Sequence, residues 1–88
     1  MTKRETLKRL RAAGWSKPWA ERHPGGFYIH EIAGRNAPPA ERRCRCRRRG
    51  CDSGRAVYEI GVEGSFCRGI YGTGHSWAEA LEAAGVKS

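Results

Sequence analysis

Arg55 to Gly85 reads RAVYEIGVEGSFCRGIYGTGHSWAEALEAAG, and this stretch decides the fold. It opens with strict alternation, Ala56, Tyr58, Ile60 and Val62 against Arg55, Glu59 and Glu63. A half-buried strand needs that period, because successive side chains point to opposite faces. Gly64-Ser65 can turn the chain, so Phe66 to Tyr71 reads as the returning strand of a hairpin. Gly72-Thr73-Gly74 is expected to break that strand. Ser76, with Glu79 three residues later, forms a capping box that starts a helix. Trp77, Ala80, Leu81 and Ala84 make one apolar stripe at helical spacing, and Gly85 suits the C-terminal cap.

Working outward, Thr2 to Glu5 is a second capping box, and Lys3 to Ala13 reads as a helix with Leu7 and Leu10 on its apolar side. Gly14 ends it. Trp15 and Trp19, around Pro18, are expected to anchor a connection onto the core. His23 to Gly26 turns, and Phe27 to Ile32 reads as the first strand. The expected fold is α+β, a small α-β-β-β-α domain. Its three-stranded antiparallel sheet carries two helices on one face, and a long basic loop joins the first two strands. The whole chain, 1–88, forms one domain, with 34–54 as that loop. A domain of this size buries only about 60–65% of its unfolded surface and has room for one modest core.

The net charge of +8 is unevenly placed. Residues 1–55 hold fifteen of the seventeen Lys and Arg and five acids; residues 56–88 hold two bases and four acids. An anionic partner met by the first two thirds of the chain is the physical implication. Six of the eight residues from Arg42 to Arg49 are arginine and none is lysine. Guanidinium presents a planar fork of donors matched to phosphate oxygens, so this tract reads as a phosphate-binding tongue. Arg42, Arg43, Arg45, Arg47, Arg48 and Arg49 are its candidate contacts, supported by Lys8, Arg11 and Arg55. No apolar run approaches the length of a membrane span, and the expected setting is intracellular and cytoplasmic, with no membrane partner.

Cys44, Cys46, Cys51 and Cys67 are the candidate metal ligands, with His75 as a substitute for Cys44. Zinc sites usually space their cysteines Cys-x2–4-Cys. Cys44-x-Cys46 is tighter than that, and Cys46-x4-Cys51 approximates it. The spacing therefore favours free thiols over zinc, and zinc over disulfides. The surrounding arginines are expected to lower the thiol pKa values. Gly72 to Gly74 lacks the lysine of a phosphate loop, Ser76 is better used as a cap, and the carboxylates are scattered. The chain is expected not to be an enzyme.

The ending, Gly72-x-Gly74-x-Ser76-x-x-x-Ala80 with Ala84 after an alternating strand, resembles the double-stranded RNA-binding domain. That family places lysines directly after the serine, where this chain has Trp77 and Ala78. Ser76 to Glu82 is equally similar to the helix of HicB-type antitoxins and of many small phage-encoded proteins. The charge and the resemblances together imply a non-catalytic module that binds nucleic acid, RNA more than DNA, or a ribonucleoprotein. Two alternatives stay open. One is a phage or mobile-element inhibitor of anti-CRISPR type, engaging an acidic surface of a host complex. The other is a structural protein of a ribonucleoprotein or phage particle.

Overall fold

The computed structural model describes residues 1–30, 33–37, 41–64 and 68–87. Helix α1 runs Lys3–Ala12, followed by strands β1 Pro18–His23, β2 Phe27–His30, β3 Glu41–Cys44, β4 Val57–Glu63 and β5 Arg68–Gly74, and helix α2 Trp77–Ala83. The fold is α+β. Strands β1, β4 and β5 form an antiparallel sheet in that order, and β2 and β3 form a separate two-stranded ribbon.

Both helices begin and end as their sequences dictate. Thr2 Oγ1 accepts from the Glu5 N–H at 3.1 Å, and Ser76 Oγ accepts from the Glu79 N–H at 3.1 Å. Gly14 and Gly85 both take positive φ, +90° and +76°. The next residue of each then donates back to the last turn, Trp15 to the Leu10 carbonyl and Val86 to the Leu81 carbonyl. That is the Schellman ending, and its apolar follow-on residue packs inward in both helices.

The core lies between the helices and the sheet. Leu10 of α1 and Trp77, Ala80 and Leu81 of α2 meet Ala20 of β1 and Ile60 of β4, which are paired across the strands. Tyr58 lies edge-on to Trp77, ring centroids 4.7 Å apart. Val57 is three residues from Ile60, hence on the opposite face, and is buried there against Cys44 and Cys46. The helices cover one face of the sheet; on the other, Val57 is buried by sulfur and Trp19 lies under the Arg68 guanidinium.

Two expectations are corrected. The strand that completes the sheet is β1, Pro18–His23, and not one beginning at Phe27. Of the expected Phe27–Ile32, residues 31 and 32 lie outside the described residues, and Phe27–His30 pairs with Glu41–Cys44 instead, so 34–54 is not all loop. Trp19 and Ala20 are adjacent yet both buried, because one faces each side of the sheet, which erases the alternation that would mark a half-buried strand. Nor do Gly72 and Gly74 break β5. A side chain at Gly72 would strike the Ala80 carbonyl, and one at Gly74 would strike Glu79. These glycines let α2 lie directly on the strand.

No described helix is long and apolar enough to cross a membrane. Ile60→Ala is expected to cost about 2–5 kcal/mol in chemical denaturation, as deletion of a fully buried side chain does. Ile29→Ala, at a position 62% exposed, should change stability by less than about 0.5 kcal/mol.

Candidate metal centre

Cys44 ends β3, and Cys46 and Cys51 follow it in two successive turns. The first turn is closed by the Arg47 N–H donating to the Cys44 carbonyl at 3.1 Å, with Arg47 at φ +60°. The second is closed by Cys51 N–H to the Arg48 carbonyl at 3.2 Å. Arg47, between Cys46 and Cys51, takes the left-handed conformation, and the chain turns there from the first pair of cysteines toward the third. His75 arrives from the far side, in the link between β5 and α2.

The ligand atoms of Cys44, Cys46, Cys51 and His75 all lie within 4.8 Å of one another, close enough to hold one metal ion. His75 Nε2 is 3.3 Å from Cys51 Sγ and 3.8 Å from Cys44 Sγ. In a tetrahedral site with metal–sulfur bonds near 2.3 Å and metal–nitrogen bonds near 2.0–2.1 Å, such edges are about 3.5–3.8 Å. None of these three cysteines is in a disulfide. Cys67 lies outside the described residues.

The surroundings orient these donors. His75 Nδ1 donates to the Ala56 carbonyl at 3.0 Å, which keeps a proton on Nδ1 and aims Nε2 at the sulfurs, where it would give a metal its lone pair once its own proton is lost. The His75 N–H donates to Glu79 Oε2 at 3.1 Å, so the α2 capping carboxylate also anchors the imidazole-bearing residue. Arg48 N–H donates to Cys46 Sγ at 3.4 Å, and Ser53 Oγ sits 3.4 Å from Cys51 Sγ and 3.3 Å from His75 Nε2.

The thiols differ in acidity. Hydrogen bonds from Ser53, through side chain and backbone, and from His75 bring Cys51 down to about 6. Burial pushes Cys46 up to about 11. Burial also opposes ionisation of Cys44, but hydrogen bonding centred on Cys46, by backbone and side chain, outweighs it and leaves Cys44 below the usual thiol range. The Ala56 carbonyl, then Cys51, raise His75. The arginines are thus not what sets the thiol pKa values, contrary to the expectation from their density; local hydrogen bonds and burial are. A buried thiol such as Cys46 ionises readily only beside a cation, and a metal ion placed among these donors would supply one.

The arginine tract is carried on this cluster. Arg45 lies between the first two cysteines, and Arg47, Arg48 and Arg49 lie between the second and third. Arg48 Nη2 donates to the Thr73 carbonyl of β5. Arg42 stacks over the Phe27 ring, 4.6 Å from its centroid, and Arg43 sits opposite Tyr28. Arg55 is exposed just before β4. Lys8 and Arg11 are exposed on α1, which touches β1 and α2 and neither strand of the ribbon. They are not gathered with the tract.

Comparison with protein-family models, curated proteins and solved structures returns no match for this chain.

Loss of a donor should be read directly as loss of metal. Cys51→Ser and His75→Ala are each expected to lower metal affinity by more than the 10–100-fold typical of removing a supporting residue, measured by competition with a chromogenic chelator. Cys67→Ser should leave it within about twofold, since the four donors already complete a tetrahedron.

Proposed function

We propose that the chain is a non-catalytic binding module in which one zinc ion, held by Cys44, Cys46, Cys51 and His75, presents an arginine-rich turn to the phosphates of nucleic acid. The observation that carries this reading is the position of the arginines within the ligand sequence itself. Arg45 and Arg47 to Arg49 are bracketed by metal-ligating positions, so fixing the cluster fixes their backbone. Three thiolates and one imidazole suit zinc in a closed, structural site. Arginine in place of lysine suits bidentate contact with phosphate.

The zinc has two effects in this reading. It adds binding free energy to folding in a domain whose core is small. It also reduces the entropy lost when the turn engages its partner, because the turn is already ordered. Phosphate contacts position a protein without reading sequence, so the arginines supply affinity and not base preference.

Binding of labelled single-stranded and duplex RNA and DNA, measured across a salt series with zinc-loaded protein, tests the proposal. Contact with four to six phosphates gives a log–log slope of about −3 to −4 on a single strand and about −4 to −5 on a duplex. Replacing the six arginines from Arg42 to Arg49 by serine is expected to abolish binding while the helical circular dichroism is kept. Replacing them by lysine should keep much of the slope and weaken affinity. Chelation of the zinc should weaken binding by about tenfold or more, as an unordered turn pays the ordering cost on association. Absence of binding to all four probes at low salt would contradict the proposal and direct attention to an acidic protein surface.

A further inference from the structure

Neither strand of the ribbon pairs with the three-stranded sheet, and a cleft of about 560 Å3 opens between them. Tyr28, Arg45 and Arg47 line it from the ribbon and the first cysteine turn; His23, Glu59 and Ile70 line it from the sheet. Its volume falls in the range of roughly 300–1,000 Å3 usual for small-ligand sites.

The cleft offers three kinds of contact. The first is apolar. Ile70 is 58% exposed, and among the described residues no aromatic ring is stacked on the half-buried Tyr28. The second is cationic: Arg45 and Arg47 are exposed at the rim, and among the described residues neither guanidinium has a hydrogen-bond or ion-pair partner. The third is a carboxylate on the sheet wall. Glu59 is 24% exposed and its Oε2 lies 3.4 Å from His23 Nε2, an atom buried without a hydrogen bond. The neighbouring carboxylate, Glu21, is instead taken up by Arg68.

An aromatic face, a pair of rim guanidiniums and a carboxylate wall match one nucleotide of a single strand. An unpaired base stacks on tyrosine, and its flanking phosphates meet arginine. The carboxylate then selects the base. Ionised, it only accepts hydrogen bonds. Cytosine and adenine each set an acceptor nitrogen beside their amino group, and uracil flanks its one N–H with two carbonyls. Guanine alone presents two adjacent donors, N1–H and the N2 amino group, to the two oxygens of a carboxylate.

We propose that this cleft holds a guanine of single-stranded nucleic acid, its pairing edge on Glu59, its face on Tyr28 and its phosphates on Arg45 and Arg47. The inference rests on the phosphate-binding reading of the arginine turn and adds to it a base preference that the turn itself lacks.

The test uses zinc-loaded full-length protein and four RNA decamers, each oligouridylate with one central G, A, C or U, measured by fluorescence anisotropy. The G strand is expected to bind about tenfold more tightly than the other three, the discrimination usual for a bidentate base contact. Glu59→Gln should bring the four strands within about twofold of one another, while Glu21→Gln keeps the preference. Tyr28→Ala should weaken all four by about tenfold. Zinc content and melting temperature show that each variant is folded, and the wild-type preference requires no variant at all. If the wild type binds all four strands alike with its salt slope intact, the guanine site is overturned and the phosphate reading stands. If it binds none of them, both are overturned.

Discussion

Two layers of this protein that share no strand pairing meet at a junction centred on the packing of Cys44 and Cys46 on Val57. The ribbon of β2 and β3 meets the sheet at its base, where Cys44, the last residue of β3, and Cys46 of the following turn pack on Val57 of β4. There His75 reaches across from the β5–α2 link, and the Phe27 ring packs so closely on Gly54 that a side chain there would collide with it. The chain measures 52 Å along its longest axis, extended for its mass, which follows from a ribbon attached at its base and not along its length. Everything proposed for the molecule depends on that junction keeping its geometry.

Charge makes the junction hard to build. Six guanidiniums in so short a tract repel one another, and the apolar side chains near them are few. Some of the tract is accommodated by the fold: Arg42 lies on an aromatic face and Arg48 on a backbone carbonyl. Three thiolates and a neutral imidazole around a divalent ion would add a single net negative charge at the base of the tract, where it offsets part of the repulsion. The same ion would ionise Cys46, which its burial otherwise keeps protonated. Outer arginines would remain turned toward solvent, arranged as a cationic edge.

Much of the fold was legible locally. Thr2, Ser76, Gly14 and Gly85 are helix punctuation whose chemistry depends on nothing distant, and each stands where the sequence places it. What could not be read depends on contacts between segments. Trp19 and Ala20 hide a strand because each is buried on its own face of the sheet, Ala20 by the helices and Trp19 under Arg68. Gly72 and Gly74 look like a break until α2 is laid on them. The Cys44-x-Cys46 spacing looks too tight for a metal until two successive turns bring Cys51 back to the pair, and His75 joins the cysteines through the tertiary fold. The density of arginines points to charge as the control on thiol acidity, whereas short-range hydrogen bonds from Ser53 and His75 lower Cys51. Glu59 carried no signal of its own, since an alternating strand is expected to hold a charged residue there.

X-ray absorption at the zinc edge of protein purified without chelators addresses the junction most directly. The account predicts about one zinc per chain, with three sulfur neighbours near 2.3 Å and one nitrogen near 2.0–2.1 Å. A shell of oxygen and nitrogen alone, or protein that folds to the same structure and melts at the same temperature with no metal, would contradict it.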